Sequence, residues 1–420
     1  MKSSNKAIVV GAGIAGLGVA YFLNKAGQDV TVIDKDDGTD NCSYGNAGMI
    51  VPSHIIPLAS PGVISKGLKW MLNPESPFYI HPKLDKSLFQ WGWNFKKAST
   101  KKHVDESAPL LRDLLLTNRE IVCQLEEEES LKFDFHKTGL FMFCNTEKGL
   151  EEEAEAAEKA KSVGMPAQIL NAEEVRDMDP GIDLDIIGAT YYPKDSHLYP
   201  GALMDGLKKL LKDRGVRFEF QTEFKEILLN SGKVTGILSN DIRTFEASNV
   251  VICTGAQSQQ IAKRFGLHLL LQAGKGYSIT LPKPKKQPKN CGIFSEVKVT
   301  MTPMNGMLRF AGTMEITGPD QSVNPKKLAG LKKSVCQYLP DYQLDDFNNQ
   351  KVWVGLRPCS PDGLPYVGRY NQIEGLYIST GQAMMGMSLG LVSGQIVADL
   401  ITRGKSHLVH PLIDPNRYDT

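Results

Sequence analysis

The stretch Ala7-Ile8-Val9-Val10-Gly11-Ala12-Gly13-Ile14-Ala15-Gly16 runs from a short β-branched segment straight into three glycines spaced Gly-x-Gly-x-x-Gly. Apolar residues then recur at helical spacing from Ile14 to Lys25, Gly27 stops them, and Val30-Thr31-Val32-Ile33 forms a second strand that ends on Asp34. This is a βαβ unit. In such a unit the first glycine permits the tight turn, the second lets the backbone approach a pyrophosphate, and the third lets helix and strand pack closely. The helix N-terminus aims unpaired N–H groups and its positive dipole end at the phosphates. An acid about 20 residues further on, here Asp34 with its neighbour Lys35, is placed to accept hydrogen bonds from a ribose. A dinucleotide site follows.

NAD and FAD share this fingerprint. Its place at the N-terminal end, with no second glycine fingerprint for a separate nicotinamide nucleotide, favours one tightly held FAD. Small and hydroxyl residues of Cys42-Ser43-Tyr44-Gly45-Asn46-Ala47-Gly48-Met49 are expected along the pyrophosphate, with Thr254-Gly255-Ala256 after the strand Val250-Val251-Ile252-Cys253.

The 420 residues are 41% hydrophobic and 23% charged, enough to bury a large core, and a net charge of +1 argues against nucleic acid as partner. The seven cysteines are scattered without a Cys-x-x-Cys pair, which disfavours a disulfide framework or a zinc site and fits a reducing, cytoplasmic setting. No metal site is expected. Lys6 to Phe22 mimics a signal peptide, but its glycines are those of the phosphate turn.

Further along, Asn41 to Pro82 is rich in Gly, Pro, Ser and Asn and reads as a loop that wraps a ligand. Lys86 to Glu128 reads as helical, Phe133 to Phe143 as a strand pair, and Thr146 to Val163 as a polar helix with Glu155 and Lys159 at i, i+4. Dinucleotide-type signals return after Tyr199-Pro200-Gly201, and the final helix is expected over Leu389 to Leu400. The fold class is therefore α/β: a Rossmann-type FAD domain (1–55, 196–262 and 351–420) interleaved with an α+β substrate domain (56–195 and 263–350) on a mostly antiparallel sheet.

The C-terminal block reads Trp353-Val354-Gly355-Leu356-Arg357-Pro358-Cys359-Ser360-Pro361-Asp362-Gly363-Leu364-Pro365, then Gly368 and Tyr377-Ile378-Ser379-Thr380-Gly381. This resembles the D-amino acid oxidase superfamily of FAD-dependent oxidoreductases, whose Gly-Leu-Arg-Pro…Asp-Gly-x-Pro…Gly pattern precedes a last strand and helix. Within the superfamily it is most like the bacterial D-amino acid dehydrogenase small-subunit type, over essentially the whole chain. Asn46-Ala47-Gly48, Pro57 to Trp70, Lys275 to Thr280 and Arg309 to Gly318 carry the same resemblance. Two stretches depart from it: Gly381-Gln382-Ala383-Met384-Met385-Gly386-Met387-Ser388, and Lys194 to Pro200.

The resemblance implies oxidation of a D-amino or cyclic imino acid by hydride transfer from Cα to flavin N5, with the imino acid hydrolysed in water. A carboxylate substrate in an apolar pocket needs a fixed cation, and Arg357 is the natural one because its guanidinium binds a carboxylate bidentately. The alternative for Arg357 is an ion pair with Asp362. Tyr277 is a candidate to add its hydroxyl to the same carboxylate or to close the pocket, the alternative being a core tyrosine; His54 and His197 are further candidates for substrate contact, or else ordinary surface or core histidines. Gly381 to Ser388 is expected just before the final helix, stabilising charge at the flavin N1–C2 edge, with Met384, Met385 and Met387 against the ring. The flavin is expected to be non-covalent, because the related covalent positions lack cysteine.

The dehydrogenase likeness implies a quinone or partner protein as electron acceptor. Trp91-Gly92-Trp93-Asn94-Phe95 with Lys96, Lys97, Lys101 and Lys102 reads as a peripheral membrane patch, or else as a helix packed on its own domain; Lys283 to Lys289 is a second basic contact. Two other readings stay open: a glycine- or sarcosine-type oxidase that makes peroxide, and a flavin-bearing subunit that only relays electrons.

Overall fold

A computed structural model describes residues 5–82 and 85–419 of the chain. Two sheets divide the labour. The first has six strands in the order Tyr366–Arg369, Leu376–Thr380, Asn249–Ile252, Lys6–Val10, Asp29–Ile33 and Arg217–Glu219, parallel except for the Tyr366–Arg369 edge. Its strands are near-continuous Val and Ile because both faces are buried, one under helices and the other under a three-stranded sheet, Phe224–Asn230, Lys233–Ser239 and Thr244–Glu246, with the short helix Ser258–Lys263. Helix Ile14–Lys25 packs against the C-terminal helix Gly386–Thr402 through small residues: a methyl on Gly394 would lie 2.3 Å from the Gly18 carbonyl carbon.

The second sheet runs Val352–Cys359, Gln272–Leu281, Met307–Ile316, Val299–Met304, Cys291–Phe294, Leu140–Cys144, Gly188–Tyr192, Gln168–Asn171, with Phe78–Ile80 beside Met307–Ile316. It is mostly antiparallel, and it stands against the first sheet with a cleft between them. A two-stranded ribbon, Met49–Ile50 with Ser196–His197, lies where the halves meet.

The two interleaved sheets are those expected, with two reassignments. Strand Val352–Cys359, grouped with the first domain by sequence, pairs along its whole length with Gln272–Leu281 and belongs to the second sheet. Helix Lys101–Glu127, grouped with the second domain, buries Leu111, Leu115 and Val122 in the same core as Leu17 and Val19 of the first. Hydrophobic period alone does not say against which sheet a helix packs.

Local readings shift too. Of the strand pair expected over Phe133 to Phe143, only Leu140–Cys144 is a strand. The loop from Asn41 to Pro82 contains a helix, Val63–Met71, and the strand Phe78–Ile80. Lys159 pairs with Asp105 at 2.5 Å rather than with Glu155. The final helix begins three residues earlier than expected, so Gly386 to Ser388 form its first turn. Inside that helix the fully buried Asn118 side chain donates to Met387 O and accepts from Leu391 N and Val392 N, each about 3 Å away. A side chain inserted into a helical ladder satisfies the groups it displaces.

Candidate active site

The cleft between the sheets is a cavity of about 1420 Å³, larger than the ~300–1,000 Å³ of a usual small-molecule pocket. Its dimensions suit a dinucleotide together with a substrate. Bordering it are Gly11, Gly13, Ile14, Ala15, Asp34, Lys35, Ser43, Asn46, Ala47, Met49, Thr254, Gly255, Ala256, Met384, Met385, Gly386, Met387 and Ser388, as well as His54 and Arg357. Gly16, Gly48 and Gly381 stand behind this lining and shape it.

The glycine turn divides its labour as its spacing predicts. Gly11 has φ +107°, and a methyl there would meet Cys253 O at 2.6 Å. A methyl on Gly16 would lie 1.8 Å from Gly11 O. At Gly13 the nearest protein atom is Ser43 Oγ, 3.5 Å away, so the backbone is open toward the cavity. Ile14 N donates to Ser43 Oγ at 3.0 Å, which leaves the Ser43 hydroxyl proton free for a phosphate oxygen. Asp34 accepts from Ala12 N at 2.6 Å and from Asp36 N at 3.0 Å, and burial pushes its carboxyl up from the usual range. Asp34 thus braces the turn as well as bordering the cavity. These features fit a flavin dinucleotide.

The loop from Cys42 to Met49 is pinned from the second sheet. Arg309, itself buried, donates to Tyr44 O at 2.9 Å and Asn46 O at 2.6 Å, and burial lowers its pKa to about 10. From the other side Ser388 accepts from Val51 N and donates to Met49 O, both at 3.1 Å. The Ser388 hydroxyl is therefore spent on the loop. Met387 is buried in the core of the first domain, whereas Met384 is half-exposed at the cavity.

Arg357 projects from strand Val352–Cys359 into the cavity. Nη1 donates to Thr313 O at 2.5 Å, Nη2 lies 3.5 Å from Gly312 O, and no carboxylate pairs with it among the described residues. Asp362, the alternative partner, is bound instead by Arg417, with Nε–Oδ2 2.7 Å and Nη2–Oδ1 3.1 Å. Thr313 reaches Arg357 because it sits at a register shift in Met307–Ile316 with φ +64°. Nothing in the sequence marks that turn, since threonine rarely adopts it.

Tyr277 borders the cavity, but its hydroxyl is not where the candidate role requires. Successive residues of a strand point to opposite faces. The Arg357 guanidinium covers Gly276, so Tyr277 faces away, and its hydroxyl donates to Glu315 at 2.5 Å and accepts from Asn324 N at 3.0 Å. His197 does not border the cavity: it is fully buried and stacks on His136 with centroids 5.0 Å apart. His54 does border the cavity, and its Nδ1 meets Ser53 Oγ at 3.1 Å.

The sequence pattern described as FAD dependent oxidoreductase (DAO) matches residues 6–400. The chain belongs to this family of FAD-dependent oxidoreductases. The oxidoreductase is 28% identical over 398 residues to a D-amino acid dehydrogenase of Helicobacter pylori (94% of this chain, 95% of that one). It is 29% identical over 418 residues to one of Vibrio cholerae, covering 98% of each. Glycine oxidase from Geobacillus kaustophilus shares its fold with a TM-score of 0.78 at 22% identity, covering 98% of each chain. L-proline dehydrogenase from P. horikoshii does so with 0.74 at 19%, covering 100% and 99%.

Proposed function

We propose that the oxidoreductase oxidises a D-amino or cyclic imino acid, with the carboxylate held by Arg357 and the electrons passed to a quinone or another acceptor than oxygen. The observation that carries the substrate class is the Arg357 guanidinium, a cation at the cavity wall that among the described residues meets two backbone carbonyls and the Met314 sulfur but no anion. Such a group is costly to leave desolvated and gains most from a bidentate anion. The D-amino acid dehydrogenases named above support the amine beside that carboxylate.

When bound, FAD supplies the electron and hydrogen acceptor for the substrate C–H bond. The chain's residues do the rest. Arg357 fixes one end of the substrate, Gly276 leaves room for the guanidinium, Arg309 holds the loop at Tyr44 and Asn46, and Ser388 holds it at Met49 and Val51. In this reading they set the substrate Cα relative to the cofactor, and such positioning is worth several kcal/mol of the barrier.

The acceptor reading rests on helices Val63–Met71 and Lys86–Ala98, both of which border the cavity. Of the aromatic patch, Trp91 is buried and donates to Cys359 O at 2.9 Å, and Phe95 stacks on it at 5.0 Å. These two are core. Phe89 (77% exposed), Trp93 (53%), Leu68 (61%) and Leu72 (86%) instead face solvent, with Lys96 and Lys97 over the Trp93 ring. Exposed apolar groups among lysines suit an anionic bilayer that carries a quinone. Of the second basic stretch, Lys285 pairs with Asp346 at 2.7 Å and Lys286 with Asp183 at 3.9 Å.

The test is anaerobic bleaching of the flavin band by a panel of D- and L-amino acids and prolines, on the native protein and on Arg357→Ala. The reading expects bleaching by D-amino or cyclic imino acids, turnover with a quinone analogue, and loss of substrate affinity with FAD retained in Arg357→Ala. Bleaching by none of the panel, or unchanged kinetics in the variant, overturns it. Peroxide at a rate matching turnover in air would favour the oxidase alternative.

A further inference from the structure

An amino acid arrives at neutral pH with its nitrogen as ammonium, and the C–H bond is oxidised from the neutral amine. A group must take that proton. The cavity wall beside His54 contains a chain of three hydrogen-bonding side chains. Asp195, fully buried in the turn after Gly188–Tyr192, accepts from Ser53 N at 3.0 Å and from Ser53 Oγ at 2.5 Å. Ser53 Oγ in turn meets His54 Nδ1 at 3.1 Å, and His54 Nε2 has no partner among the described residues.

We propose that His54, Ser53 and Asp195 form a proton wire in which His54 takes the ammonium proton of the substrate and the buried Asp195 carboxylate is where that proton comes to rest. The inference rests on the amino-acid reading above.

The direction of the wire follows from donor counting. With Asp195 ionised, the Ser53 hydroxyl proton points at Oδ2, so Ser53 Oγ accepts from His54. Nδ1 of His54 then carries the hydrogen and Nε2 presents a lone pair. Transfer proceeds with every atom accounted for. An N–H bond of the ammonium breaks as Nε2–H forms; Nδ1–H breaks as a new Ser53 O–H forms; the old Ser53 O–H breaks as Asp195 O–H forms. The ammonium and carboxylate charges cancel, no electrons change owner, and His54 is neutral before and after, in its other tautomer.

The surroundings favour this route over simple protonation of the imidazole. Burial, assisted by Lys298, lowers the pKa of His54 to about 4, so a lasting imidazolium is disfavoured. Burial raises that of Asp195 to about 7, with Ser53 and then Arg119 of the long helix Lys101–Glu127 pulling the other way. Tyr191, Tyr192 and Cys291 also face Asp195, and burial first, then its charge among others, keeps them protonated. The pair is thus tuned so that the proton ends on oxygen. His54 touches substrate; Asp195 and Ser53 act through it.

The test uses the FAD-bound protein and α-aminoisobutyrate, which carries the carboxylate and ammonium but has no hydrogen on Cα to lose. A shift of the flavin absorption reports its binding, and infrared difference spectra report the state of the carboxyl. The expected result is a protonated-carboxyl carbonyl band on binding, absent from Asp195→Asn and from Ser53→Ala. In turnover, kcat/KM at pH 7 falls about 10²-fold in Ser53→Ala, its acid limb, near pH 7 in the native enzyme, no longer follows Asp195, and Ser53→Thr restores both. A flavin shift without the carboxyl band, or a band that survives in Asp195→Asn, overturns the wire while leaving the amino-acid reading intact. Bleaching by no amino acid overturns the amino-acid reading and the wire with it.

Discussion

The Arg357 guanidinium lies flat over Gly276, so closely that a methyl group there would sit 2.2 Å from Nη2 and 2.3 Å from Cζ. The missing side chain of one strand is the seat for the charge of the next. Gly276→Ala is therefore expected to tilt the guanidinium while the sheet stays paired. A charged hydrogen bond is worth about 1.5–3 kcal/mol, so affinity for carboxylate ligands should fall by roughly 10- to 100-fold. Titration of the flavin spectrum with a simple carboxylate checks this, and unchanged affinity would refute the seat.

The three glycines of the first turn should separate into two phenotypes. Gly16→Ala places a methyl 1.8 Å from Gly11 O and is expected to destabilise the apoprotein itself. Gly13→Ala meets nothing nearer than 3.5 Å and should leave apoprotein melting within a degree or two while weakening FAD binding strongly. Melting curves with and without added FAD distinguish them.

His197 is fully buried with neither ring nitrogen hydrogen-bonded, and burial lowers its pKa to about 3. The folded state thus binds fewer protons than the unfolded chain between about pH 3 and 6.5, and stability falls as pH falls through that window. His197→Phe keeps a ring against His136 and removes the titrating group. It should raise the melting temperature at pH 5 by several degrees relative to the native protein, and by much less at pH 8. Equal gains at both pH values would contradict the account.

Arg417 is the only cation paired with buried Asp362 among the described residues, and its guanidinium also lies 3.7 Å from the Tyr366 ring centroid. Removing one member of a buried pair costs about 3–5 kcal/mol because the other charge is stranded. Arg417→Ala is expected to lower the urea midpoint accordingly. Arg417→Ala with Asp362→Asn should recover part of the loss.

Much of the cofactor half was legible because its constraints are local. A turn that must be tight, must admit a phosphate and must let a helix approach shows as three glycines in six residues. An acid at the next strand end shows as Asp34. Arg357 stood out by its chemistry, a cation amid glycine and proline in an otherwise apolar strand, and it borders the cavity. The substrate wall was less legible. Ser53 and Asp195 are 142 positions apart, and Asn118 and Met387 are 269 apart, with no spacing to announce either contact.

Tyr277 shows where the boundary falls. The residues alone placed Gly276, Tyr277 and Ser278 at the edge of the substrate block, marked Arg357 as the candidate for a substrate carboxylate, and gave an N-terminal βαβ unit for a dinucleotide. They did not determine which face of their strand looks into the cleft. A strand turns every second side chain away, and only the pairing of Gly276 with Gly355, beside Gly274 with Arg357, put the glycines under the guanidinium and Tyr277 behind it. The pattern of residue types names the chemistry available; the register between strands far apart in the chain decides which atoms meet.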